Sequence, residues 1–282
     1  MKILVGSVFA NDTKRQQYLL ELQLRYLRAT TPKFEHVVCL MSRKHTNFFD
    51  SRTKTIPRNR KFRGIKSNRA HTAGLNTLIN YFRKYVNDFD GFLIIDSDAF
   101  PINKRWQQIL TNRMTQNQRE IATPIRYENL ETRAHVSIIY ALPAALPHIY
   151  FEVAHTGLDV LGKREEDACL PAYEKHRRHL MLPLLRSNQY NIDPLFYGIY
   201  YNLFYHHCCG SRTRIATKSD KYWRRLRARN SMAPMTKKLY ANPTEFIGKL
   251  AGWTPNLYAK VEAVNFTDPP PQSPATIPRS SQ

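Results

Sequence analysis

The chain has no run approaching the roughly 20 apolar residues that a membrane-spanning helix requires. Its opening, Met1-Lys2-Ile3-Leu4-Val5-Gly6, lacks the longer apolar segment and small-residue cleavage site of a secretory leader, so a cytoplasmic protein is expected. Cysteine is sparse. Cys39, Cys169, Cys208 and Cys209 form no Cys-x-x-Cys pair, and the adjacent Cys208 and Cys209 are poor disulfide partners for one another, which points to reduced thiols. Acid is scarce as well: 22 acidic against 43 basic side chains leave a formal charge of +21, a bias toward polyanionic partners. Residues 52–69 carry eight Lys or Arg and no acid, and residues 212–238 carry ten against Asp220 alone. Nucleic acid, an anionic membrane surface and phosphorylated small molecules all satisfy such charge, and charge alone does not rank them.

What is present is ample apolar content, 42% of 282 residues, enough for one large domain or two small ones. Lys2 to Phe9 reads as a strand, and Asn11 or Asp12 is placed to cap a helix running to about Ala29. His36 to Met41 reads as a second buried strand. Leu75, Leu78, Ile79 and Phe82 recur at helical spacing, so an amphipathic helix is expected from Arg69 to about Tyr85. Trp106, Ile109, Leu110 and Met114 mark another helix, and Glu120–Ile125 and Val136–Leu142 read as strands. This alternation predicts an α/β fold with a mostly parallel central sheet flanked by helices, followed by a mixed second half. The proline-rich segment 268–282 is expected to be a disordered tail.

The most informative stretch is Gly91-Phe92-Leu93-Ile94-Ile95-Asp96-Ser97-Asp98. A short, wholly apolar run reads as a strand buried on both faces, so its two aspartates emerge at the carboxyl end, where open α/β sheets place ligands. Paired carboxylates there suit Mg²⁺ or Mn²⁺, completed by substrate phosphates. More than a hundred residues later, Tyr205-His206-His207-Cys208-Cys209-Gly210-Ser211-Arg212 offers imidazoles, a glycine that lets backbone approach a ligand, a hydroxyl and a guanidinium.

In these motifs and their order the chain resembles the nucleotide-sugar-dependent glycosyltransferases of the GT-A fold, over roughly residues 1–215. Asp96-Ser97-Asp98 looks like their Asp-x-Asp motif, and His207-Cys208-Cys209-Gly210-Ser211-Arg212 is similar to their His-x-x-Gly-x-x-Lys element. Arg212 stands one position earlier than the family's lysine. The phrasing is most like small transferases of viruses and bacteria that build surface glycans. The resemblance implies a nucleotide-sugar donor, most simply a UDP-sugar, with Mn²⁺ or Mg²⁺ held by Asp96, Asp98 and His207. His206 is the alternative to His207. Ser7, Arg69, His71, Asn76, Asp96, Ser97, Gly210, Ser211 and Arg212 are then the donor contacts, Ser7 by its place after the first strand and Arg69, His71 and Asn76 by a helix facing the nucleotide. It further implies a single domain over residues 1–267, divided into a donor half (1–125) and an acceptor half (126–267).

An inverting transferase needs a base for the acceptor hydroxyl. Arg164-Glu165-Glu166-Asp167 is similar to a Glu-Asp element at a helix start in such enzymes, making Asp167 the expected base, with Glu166 and Asp159 as alternatives. A retaining enzyme needs none. The same three acids also suit the positive end of a helix beginning near Glu165 with no catalytic part. The acceptor is expected to be a glycan or lipid-linked glycan, with peripheral contact to an anionic membrane through the basic surface. Two other classes compete. A nucleotidyltransferase would also bind nucleotide and metal on an α/β sheet, but no glycine-rich, lysine-containing phosphate loop occurs near residues 6–20. Non-enzymatic nucleic-acid binding accounts for the charge and for Tyr222-Trp223-Arg224-Arg225-Leu226-Arg227, yet leaves Asp96 and Asp98 to repel phosphate. Nucleic acid is therefore not the expected partner.

Overall fold

The computed structural model describes residues 1–9, 14–41, 53–57, 68–126, 133–158, 164–170, 179–182, 184–187, 198–207 and 232–251. The expected Asn11 or Asp12 cap, most of the two basic runs, Asp159, the Gly210-Ser211-Arg212 element and the proline-rich tail lie outside the described residues.

The first half alternates as its periodicity requires: β1 (Ile3–Phe9), α1 (Lys14–Thr30), β2 (Phe34–Leu40), β3 (Thr53–Pro57), α2 (Asn68–Arg83), β4 (Gly91–Ile95), β5 (Ala99–Pro101), α3 (Trp106–Gln116) and β6 (Ile121–Arg126). The second half adds short strands: β7 (Arg133–Ala134), β8 (Ile138–Ala141), β9 (Glu152–Leu158), β10 (Arg164–Cys169), β11 (His179–Leu182), β12 (Leu184–Ser187), β13 (Gly198–Tyr200) and β14 (Phe204–His206). Two helices, α4 (Met232–Ala241) and α5 (Pro243–Ala251), close the described chain. Among the described residues, no helix is long and apolar enough to cross a membrane.

The main sheet runs β11-β6-β8-β4-β1-β2-β3, with β7 paired to β6. β4, β1, β2 and β3 are mutually parallel, as are β11 and β6, while β8 runs antiparallel between β4 and β6. The fold is thus α/β with a mostly parallel sheet, as expected, and strands from beyond residue 125 complete it. Strand alternation explains the unbroken apolar runs. Leu4, Phe92 and Ile94 pack with Leu75, Leu78, Ile79 and Phe82 of α2 on one face. Ile3, Val5, Leu93 and Ile95 meet Leu27 of α1 and Trp106, Leu110 and Met114 of α3 on the other. A sheet covered on both faces has no place for polar alternation.

Close approach of α2 to β1 depends on two glycines. A Cβ on Gly6 would stand 2.6 Å from the Phe82 ring, and one on Gly74 would stand 2.8 Å from a Val8 methyl. One expectation fails here. Residues from Glu165 do not begin a helix: Arg164–Cys169 is a strand paired antiparallel with Glu152–Leu158. Cross-strand pairing, and the burial of Ala168 and Leu170 two residues apart, outweigh the preference of acids for a helix start.

Candidate metal centre

Because β1, β2 and β4 run parallel, their carboxyl ends share one edge of the sheet, and Asp96 follows β4 directly. Asp96-Ser97-Asp98-Ala99 is a tight turn closed by the Ala99 N–H donating to the Asp96 carbonyl at 2.9 Å. The Asp96 N–H donates to the Ser137 carbonyl at 2.8 Å. The chain then leaves the main sheet, and β5 joins a second, smaller sheet, β12-β13-β14-β5. In that sheet His206 stands opposite Ala99, and the His207 N–H donates to the Asp98 carbonyl at 2.8 Å. An antiparallel ladder thus carries a histidine back to the aspartate turn.

The histidine that arrives is His206, not His207. His206 Nε2 lies 3.4 Å from Asp98 Oδ1 and 3.9 Å from Asp96 Oδ2. One ligand atom each from Asp96, Asp98 and His206 falls within 4.8 Å of the others, and among the described residues this is the only such group. His207 is fully buried on the other side of the ladder, its Nδ1 2.6 Å from the Tyr205 hydroxyl and its ring facing Phe246. The period of two decides between neighbours. Phe204 shares a face with His206 and packs on Trp106, whereas Tyr205 shares one with His207 and packs on Phe100.

The donor set fits a divalent cation. Two carboxylates and one imidazole offer oxygen ligands in excess of nitrogen, the preference of Mn²⁺ and Mg²⁺. Ligands at adjacent positions of an octahedral ion bound at about 2.1 Å lie about 3 Å apart, so the 3.4 Å between Asp98 and His206 needs little closing. Asp98 and His206 are nearly buried, while Asp96 stays a fifth exposed and opens the site to solvent.

The first turn of α2 reaches the same place, with His71 Nε2 3.3 Å from Asp96 Oδ1. Arg69, two residues earlier, is exposed and lines a separate groove of about 500 Å³ with Thr72, Asn76, Asn80 and Val153. Asn76 also braces backbone. Its amide donates to the Phe151 carbonyl and accepts the Phe151 N–H, both at 2.9 Å, a bracket that ties α2 to the start of β9. Ser7 faces other protein groups. It is wholly buried in β1, its hydroxyl donating to Gln23 Oε1 at 2.8 Å and lying 3.3 Å from His36 Nε2, because this strand end is still covered by α1. Ser97 is half-buried in the turn. The backbone of Glu166 and Asp167 lies opposite His155 and Ala154, on a strand that packs against α2.

Two contributors escape a sequence reading. His135 is buried with its ring 5.7 Å from that of His206, and its Nδ1 accepts the Ser137 N–H at 3.1 Å, which leaves the proton of the neutral ring on Nε2. Gln23 is wholly buried in α1, and its side-chain amide donates to the carbonyls of Asp96 and Ala99 at 2.6 and 2.7 Å. The signal for Gln23 was a polar residue on the apolar stripe of Leu20 and Leu27; His135 carried none.

No protein-family model matches the chain, and no curated protein does. Among solved structures, the first 349 residues of S. aureus TarS share 14% identity over 54% of this chain and 50% of that one, with a TM-score of 0.36. A glycosyltransferase involved in glycosylating the major capsid of PBCV-1 shares 14% over 52% and 62%, with a TM-score of 0.35. The mannosyltransferase PcManGT of Pyrobaculum calidifontis, solved with GDP-Man and Mn²⁺, shares 12% over 52% and 46%, with a TM-score of 0.36. The matched region spans about half the length of these proteins. Such distant likeness says nothing of what this chain binds. In its own residues, the chain resembles GT-A-fold glycosyltransferases through an Asp-x-Asp turn placed directly after a buried parallel strand.

Proposed function

We propose that the protein is a metal-dependent glycosyltransferase that moves a hexosyl or pentosyl group from a nucleotide-sugar donor, most simply a UDP-sugar, to a hydroxyl of a glycan or lipid-linked glycan acceptor. The observation that carries this reading is the convergence of Asp96, Asp98 and His206 at the carboxyl edge of the parallel sheet. In the reaction the bond from the anomeric carbon to the diphosphate oxygen breaks, the acceptor oxygen bonds to that carbon, and the hydroxyl proton passes to a protein base on inversion or to the departing diphosphate on retention. A bound Mn²⁺ or Mg²⁺ supplies positive charge against the diphosphate oxygens that take up the bonding pair.

The chain's own residues serve the remaining needs. Asp98 and His206, both nearly buried, would hold the cation together with the more exposed Asp96, beside which His71 lies. The Gly210 amide, Ser211 and Arg212 contact phosphate oxygens, and Arg69 adds charge from the start of α2. Asp167, or in its place Glu166 or Asp159, takes the acceptor proton if the anomeric configuration is inverted. The test is thermal stability with UDP-, GDP-, CMP- and dTDP-sugars, each with and without Mn²⁺. A rise that needs both metal and one nucleotide supports the reading and names the donor base. A rise with oligonucleotides alone overturns it in favour of nucleic-acid binding.

A further inference from the structure

The Asp96–Ala99 turn is held by more than its own hydrogen bond. Its first and fourth residues present their carbonyls to one side chain, the amide of Gln23, which donates one N–H to each at 2.6 and 2.7 Å. Carbonyls only accept, so the nitrogen of this amide must face the turn and its oxygen must face Ser7. The Ser7 hydroxyl donates to that oxygen at 2.8 Å. Beyond it lie His36 Nε2, 3.3 Å from Ser7 Oγ, and the Thr53 hydroxyl, 3.4 Å from His36 Nδ1. A polar chain, buried from His36 inward and half-buried at Thr53, therefore crosses β3, β2, β1 and α1 and ends on the two carbonyls that bound the aspartate pair.

We infer that Gln23 is a positioning residue for the metal centre, fixing the separation and direction of the Asp96 and Asp98 carboxylates by clamping both ends of their turn. Asp96 and Asp98 occupy the first and third places of a four-residue turn, so their carboxylates share a side only while the turn keeps its shape. Its other anchors, the Ser137 carbonyl and the His207 N–H, hold Asp96 and Asp98 separately. Gln23 adds a side-chain tie between the two ends, beside the turn's own hydrogen bond from the Ala99 N–H to the Asp96 carbonyl. A buried amide with all its groups satisfied in one orientation is rigid, because each alternative leaves a buried donor or acceptor unpaired. The two carbonyls select that orientation, and Ser7 satisfies the amide oxygen within it. This inference rests on the proposed metal site.

The test uses the full chain without nucleotide. Mn²⁺ affinity is read by the loss of its free electron-spin-resonance signal, and amide hydrogen exchange is followed at Ala99, whose N–H closes the turn. Gln23→Met keeps size and apolar contact but removes both donors; a 10- to 100-fold weaker Mn²⁺ affinity is expected, the usual loss for a residue that orients a ligand. Faster exchange at Ala99 should accompany it. Ser7→Ala, which leaves the amide oxygen without its donor and disturbs packing less, should weaken Mn²⁺ several-fold and serves if the first variant fails to fold. Unchanged affinity and exchange in a folded Gln23→Met or Ser7→Ala protein would overturn the inference. If the unaltered protein binds no Mn²⁺, the metal reading fails by itself; exchange at Ala99 then decides whether Gln23 sets the turn, faster exchange upholding the clamp and unchanged exchange removing it.

Discussion

His206 Nε2 lies 3.4 Å from Asp98 Oδ1, although more than a hundred residues separate the two in the chain. The contact exists because β14 returns beside β5 with His206 facing Ala99. A ladder, unlike a loop, sets which of two neighbouring side chains arrives.

The His206 and His207 variants should therefore differ in kind. His206→Ala removes a nearly buried ligand atom, and Mn²⁺ affinity is expected to fall about 100-fold, at least the loss seen for outer-shell partners. His207→Ala instead empties a fully buried site and removes the ring that lies 2.6 Å from the Tyr205 hydroxyl. Its cost should appear as about 1–3 kcal/mol of stability, with Mn²⁺ affinity changed far less. Isothermal titration with Mn²⁺ beside chemical denaturation measures both. An equal loss of metal affinity in the two variants would contradict the alternation.

The strands, helices and aspartate turn were legible because each leaves a local mark: the run Phe92-Leu93-Ile94-Ile95 is apolar throughout, and Leu75, Leu78, Ile79 and Phe82 keep helical spacing. The histidine was legible only as a pair. His206 and His207 are chemically identical, and their difference comes from register with a strand far earlier in the chain. Acids at Glu165, Glu166 and Asp167 favoured a helix start, and pairing with β9 overrode that local preference. Position in the fold suggests Ser7 and Asn76 as donor contacts, and the structure adds their hydrogen bonds to Gln23 and to the Phe151 backbone. Such partners carry no signature in one sequence.

Gly74→Ala sets two effects against each other. Alanine raises helix propensity by about 1 kcal/mol. Its methyl would meet Val8 at 2.8 Å in a closed interface, and overpacking costs about 1–3 kcal/mol. The clash should win at its upper range, lowering Tm by several degrees. Because Gly74 lies one turn from His71, displacement of α2 should also weaken Mn²⁺ binding modestly. A gain in Tm would mean that β1 and α2 separate at little cost.

Arg83 offers a stability test away from the metal centre. Its guanidinium donates to the carbonyls of Leu146, Pro147 and Ile149 and to Asn80 Oδ1, fastening the segment before β9 to α2. Arg83→Met retains the apolar stem and leaves the carbonyls without their charged donor. A loss of about 1.5–3 kcal/mol is expected from denaturant unfolding. Faster hydrogen exchange should be confined to residues 146–151, and exchange unaltered there would contradict the fastening role.

His179 gives stability a pH dependence with a definite sign. Burial in β11, and then the Arg119 charge, push its pKa below the usual 6.5, so the folded protein favours the neutral ring. Above 6.5 both folded and unfolded chains hold it neutral and the residue is silent. Below 6.5 the unfolded chain binds a proton first, so stability is lost as pH falls toward the lower folded value. His179→Gln removes that linkage while keeping a polar side chain of similar reach. Its Tm, measured relative to the unaltered protein, should rise as pH falls from about 7.5 to 5.5, a window spanning the usual imidazole value. Parallel curves would show that His179 protonates alike in both states, and that the environment of β11 does not resist the charge.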